Sequence, residues 1–279
     1  MRFLITIIGV WVSSLLFAQS VAYTRQDSIL VEKLLRKAAT ERENESRMYY
    51  FGRQLEGVPY VAHTLEEGDM EHLIVNLHEL DCLTFVETTA ALSLCDSHNQ
   101  RTFRDFCRYL QQLRYRNGRI DGYPSRLHYF TWWSEDNVQK NLMEAVENEA
   151  FTGVQTLHLN YMSKHPNAYK HLKQNPSFVP LIRKYEQQYD NTRWRYIPKS
   201  QLKASSKQLP VRTGDILSLI TSKEGLDNTH VGIAFWRNGH LHLMHASSIK
   251  KRVILDLTTL FDYCQSQPAN LGIRVYRMK

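Results

Sequence analysis

Cys82 lies in the run Glu79-Leu-Asp-Cys-Leu-Thr-Phe-Val-Glu87, directly after Asp81, a residue suited to capping a helix. That order predicts a thiol in the first turn of a helix. Unpaired N–H groups and the helix dipole there favour the thiolate, the nucleophilic form of cysteine. The same N–H groups would supply part of an oxyanion hole. A cysteine in an apolar helix also fits a plain core position, so a base has to be found elsewhere in the chain.

Asn238-Gly239 supplies the means to find it. Both residues tolerate positive φ, and the β-like runs on either side make this pair a hairpin turn. With a two-residue loop, Arg237 opposes His240, Gly232 opposes His245 and His230 opposes Ser247. His230 and His245 then become diagonal neighbours on one face, with room left between them by Gly232. His240 and His242 fall on the other face. A base and an orienting group on adjacent strands are what a thiol nucleophile requires, so His230 is predicted as base and His245 as orienter. A histidine at 245 bonded to Ser247 or Ser248 is the plainer alternative, and a one-residue slip in register would separate the pair.

Other chemistries find less support. There is no zinc-binding HExxH helix, phosphate loop or dinucleotide fingerprint, and no GxSxG elbow for a serine triad. None of the 12 histidines forms a trio with convincing ligand spacing. No cofactor and no metal are expected.

The elements that must position Cys82 and the histidines divide along the chain. Helical periodicity runs over Asp27–Glu43, over Asp81–Leu94, and from the capping signal Thr102-Phe-Arg-Asp105 to about Tyr115. Asn117–Trp133 reads as a loop rich in Gly, Pro, Tyr and Trp, and Ser177–Gln188 reads as another helix. From Trp194 onward the pattern becomes β-like, with runs at Asp215–Ile220, His230–Trp236, His240–Ala246, Val253–Leu257 and Gly272–Tyr276. Helices first and antiparallel strands later predict an α+β fold.

The chain opens Met-Arg-Phe and runs apolar from Leu4 to Ala18, with Ser20 and Ala22 at the positions a signal peptidase reads. Residues 1–22 are therefore expected to be a signal peptide, and 23–279 one α+β catalytic domain with an insertion around 117–190. The leader is short for a membrane span, so no stable membrane insertion is expected after its removal. Net charge is +7, but the basic residues are scattered and no nucleic-acid motif accompanies them, which argues against a nucleic-acid partner. The four cysteines, Cys82, Cys95, Cys107 and Cys264, are too few and too irregular for a disulfide framework.

Taken in order, Leu80-Asp-Cys-Leu-Thr-Phe-Val-Glu87, Thr229-His-Val-Gly-Ile233 and His245-Ala-Ser-Ser248 resemble the N-acetylmuramoyl-L-alanine amidase-like branch of the NlpC-type, papain-like cell-wall cysteine hydrolases. Gly57-Val-Pro-Tyr-Val61 with Thr64-Leu-Glu66, Ser125-Arg-Leu-His-Tyr-Phe130 and Gly214-Asp-Ile-Leu217 extend the resemblance over roughly Gly52 to Tyr276. It implies a papain-like core, with the nucleophile helix packed on an antiparallel sheet and helical insertions around it. It also implies Cys82, His230 and His245 as a triad. The reaction implied is hydrolysis of the muramoyl–alanine amide in peptidoglycan fragments through a thioester. An endopeptidase cutting after D-glutamate in the stem, or a non-catalytic muropeptide binder, are alternatives on the same scaffold. Tyr60 would line the site near the nucleophile. Ser125, Arg126, His128 and Tyr129 would lie on a loop at the cleft, with Arg126 facing either a stem-peptide carboxylate or a surface ion pair. Thr229 and Ser247 would complete the substrate contacts. Glu87 is expected to be structural, and the cluster Tyr129, Phe130, Trp132, Trp133 to be core. Export to the periplasm, or full secretion, follows from the leader.

Overall fold

A computed structural model describes residues 21–41 and 45–279. The expected leader lies outside the described residues except for Val21 and Ala22. Those two form strand β1 (Val21–Ala22), which pairs in parallel with β2 (Leu73–Ile74), so a cut after Ala22 would remove β1.

The N-terminal half is helical. Helix α1 (Arg25–Thr40) starts with a capping box between Thr24 and Asp27, and α2 (Arg47–Gln54) follows. Helix α3 (Cys82–Ser97) carries the candidate nucleophile as its first residue, and α4 (Phe103–Arg114) packs alongside it. Residues 84–95 of α3 are buried on every side. A helix apolar all round belongs at the centre of a core, and α3 is surrounded by α1, α2, α4 and the sheet.

Next come α5 (Phe130–Gln139), strands β3 (Met143–Val146) and β4 (Gly153–Thr156), then three helices, α6 (Tyr161–Lys164), α7 (Lys170–Gln174) and α8 (Val179–Gln187). The expected loop over Asn117–Trp133 thus ends in a helix. Its Thr131 N–H donates to the Asp227 carboxylate, a cap supplied from another part of the chain. Trp132 and Trp133 are buried within that helix, as core.

The C-terminal half builds the sheet from β5 (Arg193–Pro198), β6 (Ile216–Thr221), β7 (Asn228–Arg237), β8 (His240–Ser247), β9 (Arg252–Thr259) and β10 (Asn270–Met278), with α9 (Leu260–Gln265) between the last two. The strand order is β4-β5-β10-β6-β7-β8-β9, with β3 also on β10, and every pairing is antiparallel. Side chains alternate as the pleat requires. Val231, Ile233 and Met244 join the core of α3, while Ala234, Leu241 and Leu243 join a second core with Leu260 and Cys264 of α9. The result is a mixed α+β fold with helices against an antiparallel sheet.

The β7–β8 hairpin has the expected register. Arg237 opposes His240 and Ile233 opposes Met244, with Asn238 at φ 51° and Gly239 at φ 79° in the turn. All four cysteines are free thiols.

Candidate active site

Asp81 caps α3 through a reciprocal pair: its carboxylate accepts the Thr84 N–H at 2.8 Å, and Thr84 Oγ1 accepts the Asp81 N–H at 2.8 Å. This fixes the first turn and with it Cys82. The Cys82 thiol is met by the N–H groups of Val231, Leu83 and Cys82 itself. Val231 directly follows His230, so Cys82 is set against the start of β7.

The sequence predicts that the helix start lowers the thiol pKa. The donors do act in that direction, but burial and then the neighbouring Asp81 carboxylate outweigh them and push the thiol up to about 12. His230 moves the opposite way, down to about 3, through burial and then the proximity of His245. At rest the two groups are therefore a neutral thiol and a neutral imidazole.

Nε2 of His230 lies 2.5 Å from Nδ1 of His245, with the rings nearly perpendicular at 86°. This is the pairing that the hairpin register predicts. His245 is 1% exposed, so its orientation is fixed by its surroundings. The ring of Tyr263, on α9, lies 6.3 Å from that of His230 and 5.6 Å from that of His245. Burial, and then the charges of Cys264, Asp256 and Cys82, push its hydroxyl up to about 12.

Tyr60 joins the site from the other side. Residue 60 forms a parallel bridge with Leu80, and its N–H donates to the Lys251 carbonyl at 2.9 Å. Burial and the proximity of Cys82 and Asp81 raise its pKa, which keeps a protonated hydroxyl near the thiol.

The remaining candidates separate into wall and scaffold. Arg126 is buried, with Nε and Nη2 donating to Glu71 at 2.9 and 2.8 Å and Nη1 to Glu66 at 2.9 Å. Its guanidinium is thus held by internal carboxylates. His128 is held by the Tyr123 carbonyl at 2.9 Å, and burial together with Arg126 takes its pKa down to about 3. Both residues line a cavity of about 130 Å³ that also touches His63, Asp81 and Leu83, next to the nucleophile.

Ser125 Oγ donates to the Gly122 carbonyl at 2.7 Å and accepts the Asp121 N–H, so it holds a turn. Tyr129 is interior: its hydroxyl donates to Glu186 at 2.7 Å and accepts the Met162 N–H at 3.0 Å. The side-chain oxygens of Ser125 and Tyr129 thus both meet internal partners. Thr229 is exposed just before His230, and Ser247 Oγ accepts the Lys250 N–H at 3.2 Å in the turn after β8.

Glu87, one turn and a half along α3 from Cys82, accepts from Arg114 Nε at 2.7 Å and from Trp133 Nε1 at 3.2 Å. Arg114 also donates to the Ile74 carbonyl at 2.6 Å. Helix α3 is thereby pinned to α4, α5 and β2 by a paired buried charge.

Sequence reading did not find Asp256. It lies on β9 with Oδ2 3.6 Å from Nε2 of His245. The signal was present as an acidic residue within the apolar run Val253-Ile-Leu-Asp-Leu257. Its position lies at a bulge: Met244 pairs with Leu255 but His242 with Thr259, so 256–258 stand opposite the single residue 243 and β9 carries two extra residues. Bulges re-aim side chains, and this one directs Asp256 at His245. Nδ1 of His242 lies 3.2 Å from the Asp256 carbonyl oxygen and 3.1 Å from that of Thr258, which ties down the looped backbone.

Among known proteins, the family model described as AmiA-like, N-acetylmuramoyl-L-alanine amidase-like, matches residues 50–273. A solved structure of an N-acetylmuramoyl-L-alanine amidase from Bacteroides uniformis is 37% identical, with a TM-score of 0.78 over 84% of this chain and 98% of that one. A protein from Bacteroides fragilis, provisionally assigned as a xylanase, is 42% identical with a TM-score of 0.77 over 81% of this chain and 99% of that one. A Legionella pneumophila protein at 20% identity has a TM-score of 0.66 over 91% and 94% of the two chains, a likeness of fold. Comparison with curated proteins finds no match.

Proposed function

Since the chain belongs to the N-acetylmuramoyl-L-alanine amidase-like family, we propose that it is an exported cysteine hydrolase of the NlpC-type, papain-like class. Its substrate is the amide between N-acetylmuramic acid and L-alanine in peptidoglycan fragments. The observation that carries this reading is the contact of His230 with His245, on a strand whose next residue, Val231, meets the Cys82 thiol through its N–H.

His230 presents Nε2 to His245, which leaves Nδ1 as the atom that takes the Cys82 proton. The sulfur attacks the lactyl carbonyl carbon of the muramoyl group. Negative charge on the carbonyl oxygen is met by N–H groups at the start of α3, with the Tyr60 hydroxyl as a further donor. His230 returns the proton to the alanine nitrogen, and the stem peptide leaves. The muramoyl group remains on Cys82 as a thioester, which a water activated by His230 hydrolyses. The leader directs the protein to the periplasm or beyond.

Cleavage after D-glutamate within the stem would use the same groups. Glycoside hydrolysis, which the assignment of the Bacteroides fragilis protein would bring, calls for two carboxylates flanking the scissile bond. Here Asp81 is occupied as a helix cap and Asp256 faces His245.

The test is mass spectrometry of a defined muropeptide pool treated with wild type and with Cys82→Ala. Free intact stem peptide from wild type alone is the expected result. L-Alanyl-D-glutamate left on the sugar would move the assignment to endopeptidase. Equal cleavage by both proteins would overturn the cysteine mechanism.

A further inference from the structure

The relay does not end at the second histidine. Nδ1 of His245 is used by His230, and Nε2 is buried with no hydrogen-bond partner closer than Asp256 Oδ2 at 3.6 Å. A buried imidazole nitrogen without a partner is costly, and a carboxylate in line with it fixes where the ring proton resides. The bulge that aims Asp256 lies on β9, next to the strand of His245, and the His242 ring ties it.

We propose that Asp256 is a positioning residue that sets the tautomers of both histidines, an inference resting on the cysteine-hydrolase reading above. The proton of His245 stays on Nε2, facing the carboxylate. Its Nδ1 lone pair then accepts the Nε2–H of His230, and the Nδ1 lone pair of His230 is left for the Cys82 thiol. When the thiol proton moves to His230 Nδ1, the imidazolium is hydrogen-bonded to His245, and Asp256 offsets its charge. No proton beyond the first has to move.

The charge of Asp256 suits this role, because the nearby His245 ring holds its carboxyl down to about 2 and so ionised. The groups that face it are His245 and, through it, His230 from β8 and β7, Tyr263 from α9, and the backbone N–H of Thr258, which donates to Oδ1 at 2.9 Å. Glu56, Lys250 and Arg252 line the same cavity of about 640 Å³, and Cys82 acts on Tyr263 from α3.

The experiment compares wild type, Asp256→Ala and Asp256→Asn, each checked for folding by thermal melting. Two readouts are used: kcat and KM on muropeptide, and the pH dependence of Cys82 alkylation by iodoacetamide, which needs no substrate. Asp256→Ala is expected to lower kcat about 10²-fold with KM nearly unchanged, the low end of what general-base catalysis contributes. It should also move the rise of alkylation to higher pH. Asp256→Asn, which keeps an acceptor oxygen but no charge, should fall between the two. If Asp256→Ala fails to fold, Asp256→Asn carries the same two readouts. Folded variants with an unchanged alkylation profile and unchanged kcat would overturn the role of Asp256. If wild type cleaves no muropeptide but the alkylation shift is seen, the substrate assignment fails while the relay stands.

Discussion

His230 and His245 meet at 2.5 Å beyond the last paired residues of their hairpin, Ile233 and Met244. The contact is made by side chains where the backbone ladder has stopped, so it orients rings more than it holds strands. Replacing His245 by Ala is expected to leave the hairpin folded and to lower kcat by about 10²-fold, because His230 loses the partner that fixes its tautomer. Circular dichroism and muropeptide turnover check the two halves of this statement.

Gly232 follows His230 by two residues on β7, and a Cβ there would come 2.8 Å from Leu243 Cδ1 and 2.8 Å from the Met244 carbonyl oxygen on β8. The leucine can turn away, but the carbonyl cannot. Gly232→Ala should therefore push β8 from β7, costing about 1–3 kcal/mol of stability and lowering turnover more than Gly→Ala at an exposed turn would. Denaturant melts and kcat on the same preparation test it; unchanged turnover would mean that the strands already yield here.

Acid should weaken the fold through its neutral histidines. His230 and His128 are both held down to about 3, well under the ordinary histidine value. Above pH 6.5 neither state binds the proton. Between there and about 3 the unfolded chain binds protons that the folded chain excludes, so stability falls as pH falls. The slope is about 1.4 kcal/mol per pH unit for each histidine. Asp256, held down to about 2, adds stability above the ordinary aspartate value that is lost as pH falls through 2. Thermal melts from pH 7 to pH 4 should show a steep decline, and His128→Gln should make it shallower. A midpoint that does not move over that range would contradict these shifts.

The ion pair under the nucleophile helix carries a third expectation about stability. Glu87 and Arg114 have side chains 2% and 4% exposed, so removing one leaves a buried charge alone. Glu87→Ala is expected to cost about 3–5 kcal/mol, and the pair Glu87→Leu with Arg114→Met to recover most of it. Urea unfolding of the three proteins decides; equal loss in the single and double variants would mean that Trp133 and the Ile74 carbonyl, not the charge pair, set the cost.

What was legible in the sequence was local. Asn238-Gly239 dictates a turn that fixes the register of a whole hairpin, and Asp81 with Thr84 dictates where α3 begins. What was not legible depends on partners distant along the chain. Arg126 is claimed by Glu71, 55 residues away, and Thr131 by Asp227, 96 residues away, so a cleft arginine became a buried one and a loop became a helix. Asp256 was hidden for another reason: a bulge breaks the alternation from which its facing would be read. The direction of the Cys82 shift was missed because a helix start announces its N–H groups in the sequence, while burial does not.

The distribution of sulfur has a practical consequence. Cys95, Cys107 and Cys264 are buried, and burial is the main reason that each thiol is pushed up to about 12. Cys82 is as hard to ionise by burial, yet it is partly open to solvent. A soft electrophile given to the native protein should stop at one equivalent. The molarity of competent centres in any preparation could then be counted directly, and turnover expressed per working molecule instead of per milligram.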